Sequence, residues 1–294
     1  MARKIAFHPL NKKISVYRDP MLPIYLLRGI KNYLVDATVS SHAPLLLQAL
    51  ENELRESSLD GILLTHTHYD HCGALSLLQQ RYDCPVYLSE RGRDVLTNPK
   101  AIALIIDLNR EFAVREKVNA PIFSAPAKLQ GQGEGALIPF DLDEKIEVIA
   151  TPGHTRCSIS FLLPKAGILF PGDASGVIER SGLYKPLFLS SYRDYLASIE
   201  KMAELDIEIL GLPHNKPIRG RKKVKEHFQH AAEAAARTRQ LIQDHPGNDQ
   251  NLEETALKLL ALEFNQPALS GPKSAMLINA MAMIKAIRRE FPAQ

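Results

Sequence analysis

The stretch Thr65-His66-Thr67-His68-Tyr69-Asp70-His71 follows directly on the apolar run Gly61-Ile62-Leu63-Leu64. From His66 to His71, four of six residues carry an imidazole or a carboxylate. They stand where a predicted strand stops and a loop begins, and loops at strand ends are where α/β proteins gather their chemistry. In an extended segment residues i and i+2 share a face. His66, His68 and Asp70 are therefore expected to alternate toward one point, with His71 turning to a second. A lone histidine is more often a solvated or core polar residue, and His8, His42, His227, His230 and His245 are read that way.

Further strand ends downstream carry the same residue types. Ile146–Ile149 runs into Thr151-Pro152-Gly153-His154-Thr155, Gly167–Phe170 into Pro171-Gly172-Asp173, and Ile207–Leu210 into Pro213-His214. His66, His68 and His154 make a three-nitrogen metal site, and Asp70, His71 and His214 make a second. Asp173 has two oxygens with which to bridge them. Two-metal sites hold their cations ~3.5–4 Å apart. Imidazole and carboxylate suit Zn(II), Fe(II) or Mn(II), and thiolate is absent from the set. A water bridging two divalent cations is acidified toward neutral pKa and becomes a hydroxide nucleophile. The expected chemistry is hydrolysis dependent on two divalent metal ions, with Asp70 and Asp173 as its catalytic carboxylates.

Around these motifs short strands alternate with helices, an α/β pattern. Ile5–Phe7, Ile14–Tyr17, Ile24–Leu27 and Tyr33–Val35 predict an antiparallel meander. Helices are predicted over 42–56, 72–81, 98–118 and 191–205, and a loop over the glycine-rich stretch around Gly131, Gly133 and Gly135. From Arg219 the strand signals stop, and 222–245, 251–264 and 273–291 read as three helices. Residues 1–218 are thus expected to form a catalytic domain and 219–294 a helical cap.

Composition excludes several classes. Of 294 residues 45% are hydrophobic and 23% charged, enough apolar mass to offset chain entropy. No apolar stretch approaches the ~20 residues of a spanning helix, so no membrane partner is expected. A formal charge of +3 gives no reason to expect nucleic acid. Cys72, Cys84 and Cys157 cannot all pair, no Cys-x-x-Cys exists, and the start has no secretory h-region, so reduced thiols in the cytoplasm are expected. The run Arg219, Arg221, Lys222, Lys223 and Lys225 is read as a solvated helix start, or more sharply as an anchor for a phosphorylated arm such as coenzyme A.

The string 65–71 with 151–155, 171–173 and 213–214 resembles, in order, the metal-binding motifs of the metallo-β-lactamase superfamily, over roughly Tyr25–Asn215. The resemblance implies an αββα sandwich with the metals at one edge of the paired sheets. It assigns His66, His68 and His154 to one metal, Asp70, His71 and His214 to the other, and Asp173 to the bridge. Leu26-Leu27-Arg28, His68 through Gly73, Lys185-Pro186-Leu187 and Tyr195 through Glu200 are similar to the 2-aminobenzoylacetyl-CoA thioesterases of alkylquinolone biosynthesis, which also act as quorum-signal response effectors. That closer resemblance implies a thioester substrate, a helical C-terminal cap over the metal site, and iron as a common metal. Val177 stands where those relatives carry an acidic residue, which leaves the acyl group open. A thiolate, whose parent thiol has a pKa near ~8.5, leaves without a strong general acid. Arg156, Ser274 and Asn279 are the expected substrate contacts. Competing expectations are phosphodiester cleavage, with Arg156 meeting the developing charge, and a metal-stabilised effector acting through a regulatory protein partner. An apolar face on the tail helices would permit a homodimer.

Overall fold

The computed structural model describes residues 6–19, 21–179, 181–245, 251–264 and 273–292, without the side chains of 263–264 and 273–274. The chain opens on the meander β1 (Phe7–Pro9), β2 (Ile14–Arg18), β3 (Pro23–Arg28) and β4 (Asn32–Val35), each antiparallel to the last. A parallel partner needs a crossover. Helix α1 (Ala43–Leu54) supplies one, and β5 (Gly61–Leu63) pairs parallel with β4. Helices α2 (Tyr69–Cys72) and α3 (Leu75–Tyr82) lead to β6 (Val86–Ser89), parallel to β5. Helices α4 (Glu90–Leu96) and α5 (Pro99–Glu116) lead to β7 (Leu129–Gln132), parallel to β6.

The second sheet begins with β8 (Leu137–Pro139), β9 (Lys145–Ala150), β10 (Ile159–Leu163) and β11 (Ile168–Phe170), all antiparallel neighbours. A small hairpin, β12 (Val177–Ile178) with β13 (Tyr184–Lys185), and α6 (Tyr192–Ala203) follow. Strand β14 (Ile209–Leu210) returns parallel to β11, and β15 (Ile218–Arg219) closes the edge. Three helices end the chain: α7 (Arg221–Asp244), α8 (Leu252–Phe264) and α9 (Lys273–Glu290).

Alternate strand residues face opposite ways, and both faces are covered. Tyr25, Leu27, Tyr33, Val35 and Leu63 meet Val148, Phe161, Ile168 and Phe170 between the sheets. Leu26, Leu34 and Ile62 pack outward on Leu46, Leu50, Leu75 and Leu78 of α1 and α3. Ile149, Leu162, Leu169 and Leu210 pack outward on Tyr195, Ile199, Phe228, Met283 and Ile284 of α6, α7 and α9. This is the expected αββα sandwich with a helical C-terminal region.

Several local expectations are corrected. The glycine-rich segment contains β7, whose Gln130, Gly131 and Gln132 form an edge strand through pairing with β6 and carry no apolar alternation of their own. The helix predicted over 72–81 is α3, which starts later at Leu75, and a separate short helix precedes it, so Asp70 and His71 lie in α2 rather than in a loop. Strand signals do stop at Arg219, where β15 ends. Ile5, expected to open the first strand, lies outside the described residues. No helix among the described residues is long and apolar enough to cross a membrane. Cys72, Cys84 and Cys157 are free and buried.

Candidate metal centre

The centre is built from loops at the ends of strands. After β5 the chain stays extended as far as His68, the residue before α2. His66 and His68 therefore lie on one side of the backbone. Helix α2 then turns the chain, and Asp70 does not join His66 and His68 as the alternation alone predicts. It stands with His71 at the second point. His154 comes from the β9–β10 loop, Asp173 from the 3-10 turn Gly172–Ser175 after β11, and His214 from the loop after β14.

The structure brings all seven side chains together. His154 Nε2 is 3.2 Å from His66 Nε2, 3.1 Å from His68 Nδ1 and 3.6 Å from Asp173 Oδ2. On the other side His71 Nε2 and His214 Nε2 lie 3.5 and 3.6 Å from Asp173 Oδ1. Asp70 Oδ2 is 4.0 Å from His71 Nε2 and 3.6 Å from His214 Nε2. Within each set, His66, His68, His154 and Asp173 or Asp70, His71 and His214, the donor atoms lie within 4.8 Å of one another. One carboxylate thus offers an oxygen to each set.

The far side of each ring fixes what its near side presents. His154 Nδ1 donates to the Leu187 carbonyl at 2.7 Å, and His214 Nδ1 to the Met21 carbonyl at 3.0 Å. A carbonyl only accepts, so in the neutral form of each ring Nε2 is the atom that presents a lone pair to the centre. His71 Nδ1 lies 2.9 Å from Asp36 Oδ2. The Thr65 hydroxyl donates to Asp36 at 3.0 Å and faces His66 Nδ1 at 3.1 Å. Partners of this kind orient metal-binding imidazoles. The lone pairs of His154 Nε2 and His66 Nε2, facing each other at 3.2 Å, repel unless a cation lies between them. Tetrahedral coordination with Zn–N bonds of about 2.0–2.1 Å puts ligand atoms roughly 3.3 Å apart, close to what is found. His71 Nε2 and Asp173 Oδ1 are buried with no hydrogen-bond partner. The residues fit divalent cations on both sides of Asp173.

Electrostatics divides the two sets. Burial lowers the pKa of His66 and His68 and brings His154 to about 3, so the first set is neutral imidazole. Burial also opposes charge on His71 and His214. The carboxylates facing them, Asp36, Asp173 and Asp70 for His71 and Asp173 and Asp70 for His214, outweigh it and raise both. Burial opposes the charge on Asp173 too, and His71 and His214 still hold its pKa well below the carboxylate range.

Backbone geometry is as specialised as the side chains. Asp36 and His214 both have φ of 59°, the left-handed region that non-glycine residues avoid. Such strain costs ~1–3 kcal/mol and is tolerated where the surroundings enforce it. Gly153, with φ of 121°, passes so close to α6 that a Cβ would overlap the Tyr195 backbone.

Asp36, Thr65 and the carbonyls of Met21 and Leu187 carry no signal in the sequence. A lone Asp after a strand has no spacing partner, and a carbonyl leaves no mark on residue type. Arg156 is exposed in the turn after His154 and makes no hydrogen bond or ion pair among the described residues. Asn279 is half-buried on α9, which packs on α6, α7 and α8. The side chain of Ser274 lies outside the described residues. In the basic run, Arg219 bonds the Leu10 carbonyl and Arg221 pairs with Asp206 and Glu208.

Comparison with known proteins gives a consistent picture. Residues 23–214 match the family model of the metallo-beta-lactamase superfamily. The chain is 33% identical over 126 residues to the probable metallo-hydrolase YqgX of Bacillus subtilis, covering 42% of this chain and 53% of that protein. It thus spans about half the length of that relative. To the probable metallo-hydrolase YflN of Bacillus subtilis it is 28% identical over 206 residues, 64% of this chain and 76% of that one. Among solved structures, a metallo-beta-lactamase family protein of Thermus thermophilus superposes with a TM-score of 0.67 at 22% identity, over 96% of this chain and 95% of that one. With a family match over most of its length and the same layered fold, the chain belongs to the metallo-β-lactamase superfamily.

Proposed function

We propose that this protein is a dinuclear-metal hydrolase that cleaves a thioester of acyl-CoA type. The observation that carries the proposal is the sharing of Asp173 between two sets of donors, with Oδ2 toward His154 and Oδ1 toward His71 and His214. His66, His68 and His154 would hold one cation and Asp70, His71 and His214 the other, as Zn(II), Fe(II) or Mn(II). Two divalent cations held there supply acidification of a water and polarisation of a carbonyl.

The protein's own groups do the rest. Leu187, Met21, Asp36 and Thr65 fix the imidazoles so that little reorganises during reaction. His68 and His214 are partly exposed while His66, His71 and His154 are buried, so a substrate approaches from the side of the first two. Asp70, at 10% side-chain exposure, lies on that side and is the carboxylate placed to orient an incoming group. Leu187, whose carbonyl orients His154, belongs to the Lys185-Pro186-Leu187 motif shared with 2-aminobenzoylacetyl-CoA thioesterases, which supports that substrate class.

Helix α9 supports a cap that selects the acyl group. Its Ala275 packs on the helical layer of the first sheet, whereas Met283, Ile284 and Ile287 pack on that of the second. Asn279 and Ser274 would face the acyl group and Arg156 the leaving arm. Free buried cysteines support a reducing, cytoplasmic setting.

The test is thiol release from aroylacetyl-CoA, simple acyl-CoA and lactoylglutathione, with bis(nitrophenyl) phosphate alongside. The protein is loaded anaerobically with Fe(II) or Zn(II), and Asp173→Ala is the control. Metal-dependent release from a CoA ester, lost in Asp173→Ala, is the expected result. Turnover of the phosphodiester alone would overturn the substrate class.

A further inference from the structure

Helix α7 presents an apolar face to the second sheet through Val224, Phe228, Ala231 and Ala235. His227 interrupts that face at 1% exposure. Its Nε2 lies 3.1 Å from Ser175 Oγ, also fully buried, and its Nδ1 has no partner. A buried polar ring in an apolar face costs stability unless it is hydrogen-bonded, and His227 satisfies only one of its two nitrogens among the described residues.

Ser175 ends the 3-10 turn that carries Asp173. Gly172 and Gly176 bracket this turn at φ of 55° and 74°. Its backbone is closed locally by Ala174 N–H to the Pro171 carbonyl and Gly176 N–H to the Asp173 carbonyl, and the Ser160 hydroxyl of β10 also donates to the Pro171 carbonyl at 3.3 Å. Gly172 packs on Thr65 and Gly176 on the Lys185 carbonyl, so both ends of the turn are fixed, and Ser175 between them is open to a hold from α7. Asp173 must face both donor sets at 3.5–3.6 Å, so a small rotation of the turn removes one of them. The Ser175–His227 bond supplies such a hold. On its other side His227 packs against the Tyr184 ring, with centroids 5.3 Å apart. Tyr184 pairs with Ile178 across the β12–β13 hairpin. Asn215, next to His214, clasps Ile178 with both ends of its amide, at 2.9 and 2.6 Å. A path from Asp173 to His214 thus runs through α7, beside their direct approach at 3.6 Å.

Resting on the assignment of two cations to the cluster, we propose that His227 is a positioning residue of the metal centre, locking the Asp173 turn through Ser175 and tying it to the His214 loop through Tyr184 and Asn215. It touches neither cation nor substrate. The C-terminal region would then act on the centre by holding a bridging ligand, independently of any contact with substrate.

The test is Zn(II) binding to the full-length protein by chelator competition, with thermal unfolding of the metal-free form beside it. The variants are His227→Leu, which keeps volume, His227→Gln, which returns an amide N–H near the place of Nε2, Ser175→Ala, and the double variant. We expect His227→Leu and Ser175→Ala each to weaken binding about tenfold. The double variant should be no worse than either, and His227→Gln should recover most of the loss. Wild-type affinity in His227→Leu, or in Ser175→Ala should His227→Leu not fold, would overturn the proposal. So would losses that add in the double variant. A wild-type protein that binds no Zn(II) would overturn the two-cation assignment itself, which separates the two failures.

Discussion

The buried carboxylate of Asp36 lies 2.9 Å from His71 Nδ1 and also accepts from the backbone N–H of Thr65 at 2.9 Å. Asp36→Ala leaves these donors buried without an acceptor. We expect a loss of about 2–4 kcal/mol in the metal-free protein. Cation affinity should fall roughly 10- to 100-fold, since an outer partner of a ligating histidine is gone. Urea unfolding and Zn(II) titration measure the two effects separately. Wild-type affinity in a folded variant would show that His71 needs no such partner.

Metal removal should cost stability on its own. Among the described residues His71 Nε2 and Asp173 Oδ1 have no hydrogen-bond partner, and a cation bound only by the folded state stabilises by mass action. At a hundredfold excess over Kd the gain is about 2.7 kcal/mol. For a chain of this size it corresponds to a rise in Tm of about 4–5 °C. Scanning calorimetry in EDTA, then with Zn(II) restored, checks this. An unchanged Tm would argue against a preformed site.

Gly153→Ala should be severe and Gly133→Ala mild. A Cβ at Gly153 collides with the Tyr195 backbone, whereas a Cβ at Gly133 meets nothing within 4 Å. The first should cost about 3 kcal/mol or more and displace His154, the next residue. The second should stay within about 0.5 kcal/mol of wild type. Denaturant midpoints of both variants settle the comparison.

Acid should weaken the hold of α7. Burial, with a smaller effect of the neighbouring His230, brings the pKa of His227 to about 4 from an ordinary 6.5. The folded state therefore binds a proton less readily than the unfolded chain. The contribution of neutral His227 is complete above pH 6.5, declines as pH falls, and is lost once pH passes 4. Its full size is on the order of 3 kcal/mol. Tyr184 and exposed His230 are the neighbours in ring contact on that side, and Glu226 precedes it on α7. Metal-free wild type should lose more Tm between pH 6.5 and 4 than His227→Gln. Parallel Tm–pH curves would refute the assignment.

The layers and the donor cluster were legible because both leave side-chain signatures. Apolar runs such as Ile24–Leu27 and Ile159–Leu163 announce strands covered on both faces. Histidines crowded at strand ends announce a metal. What could not be read is what depends on pairing or backbone. Gln130-Gly131-Gln132 has no strand pattern and becomes β7 only because β6 offers an open edge. Asp70 leaves the alternation of His66 and His68 because α2 starts one residue before it. The Met21 and Leu187 carbonyls come from turns remote in sequence, 193 and 33 residues from the imidazoles they orient. Ser175 and His227 look like an ordinary turn serine and an ordinary helix histidine until the fold sets them together.

The donors of the centre are spread from His66 to His214, and each of its two sets takes members from far-apart loops. A growing chain that has emerged only as far as β9 owns His66, His68, Asp70 and His71 and neither His154, Asp173 nor His214. Such a fragment has no shared carboxylate and no complete set on either side. Cation capture is therefore a late event in the birth of the molecule, and a loaded centre certifies that both halves of the sandwich have already closed.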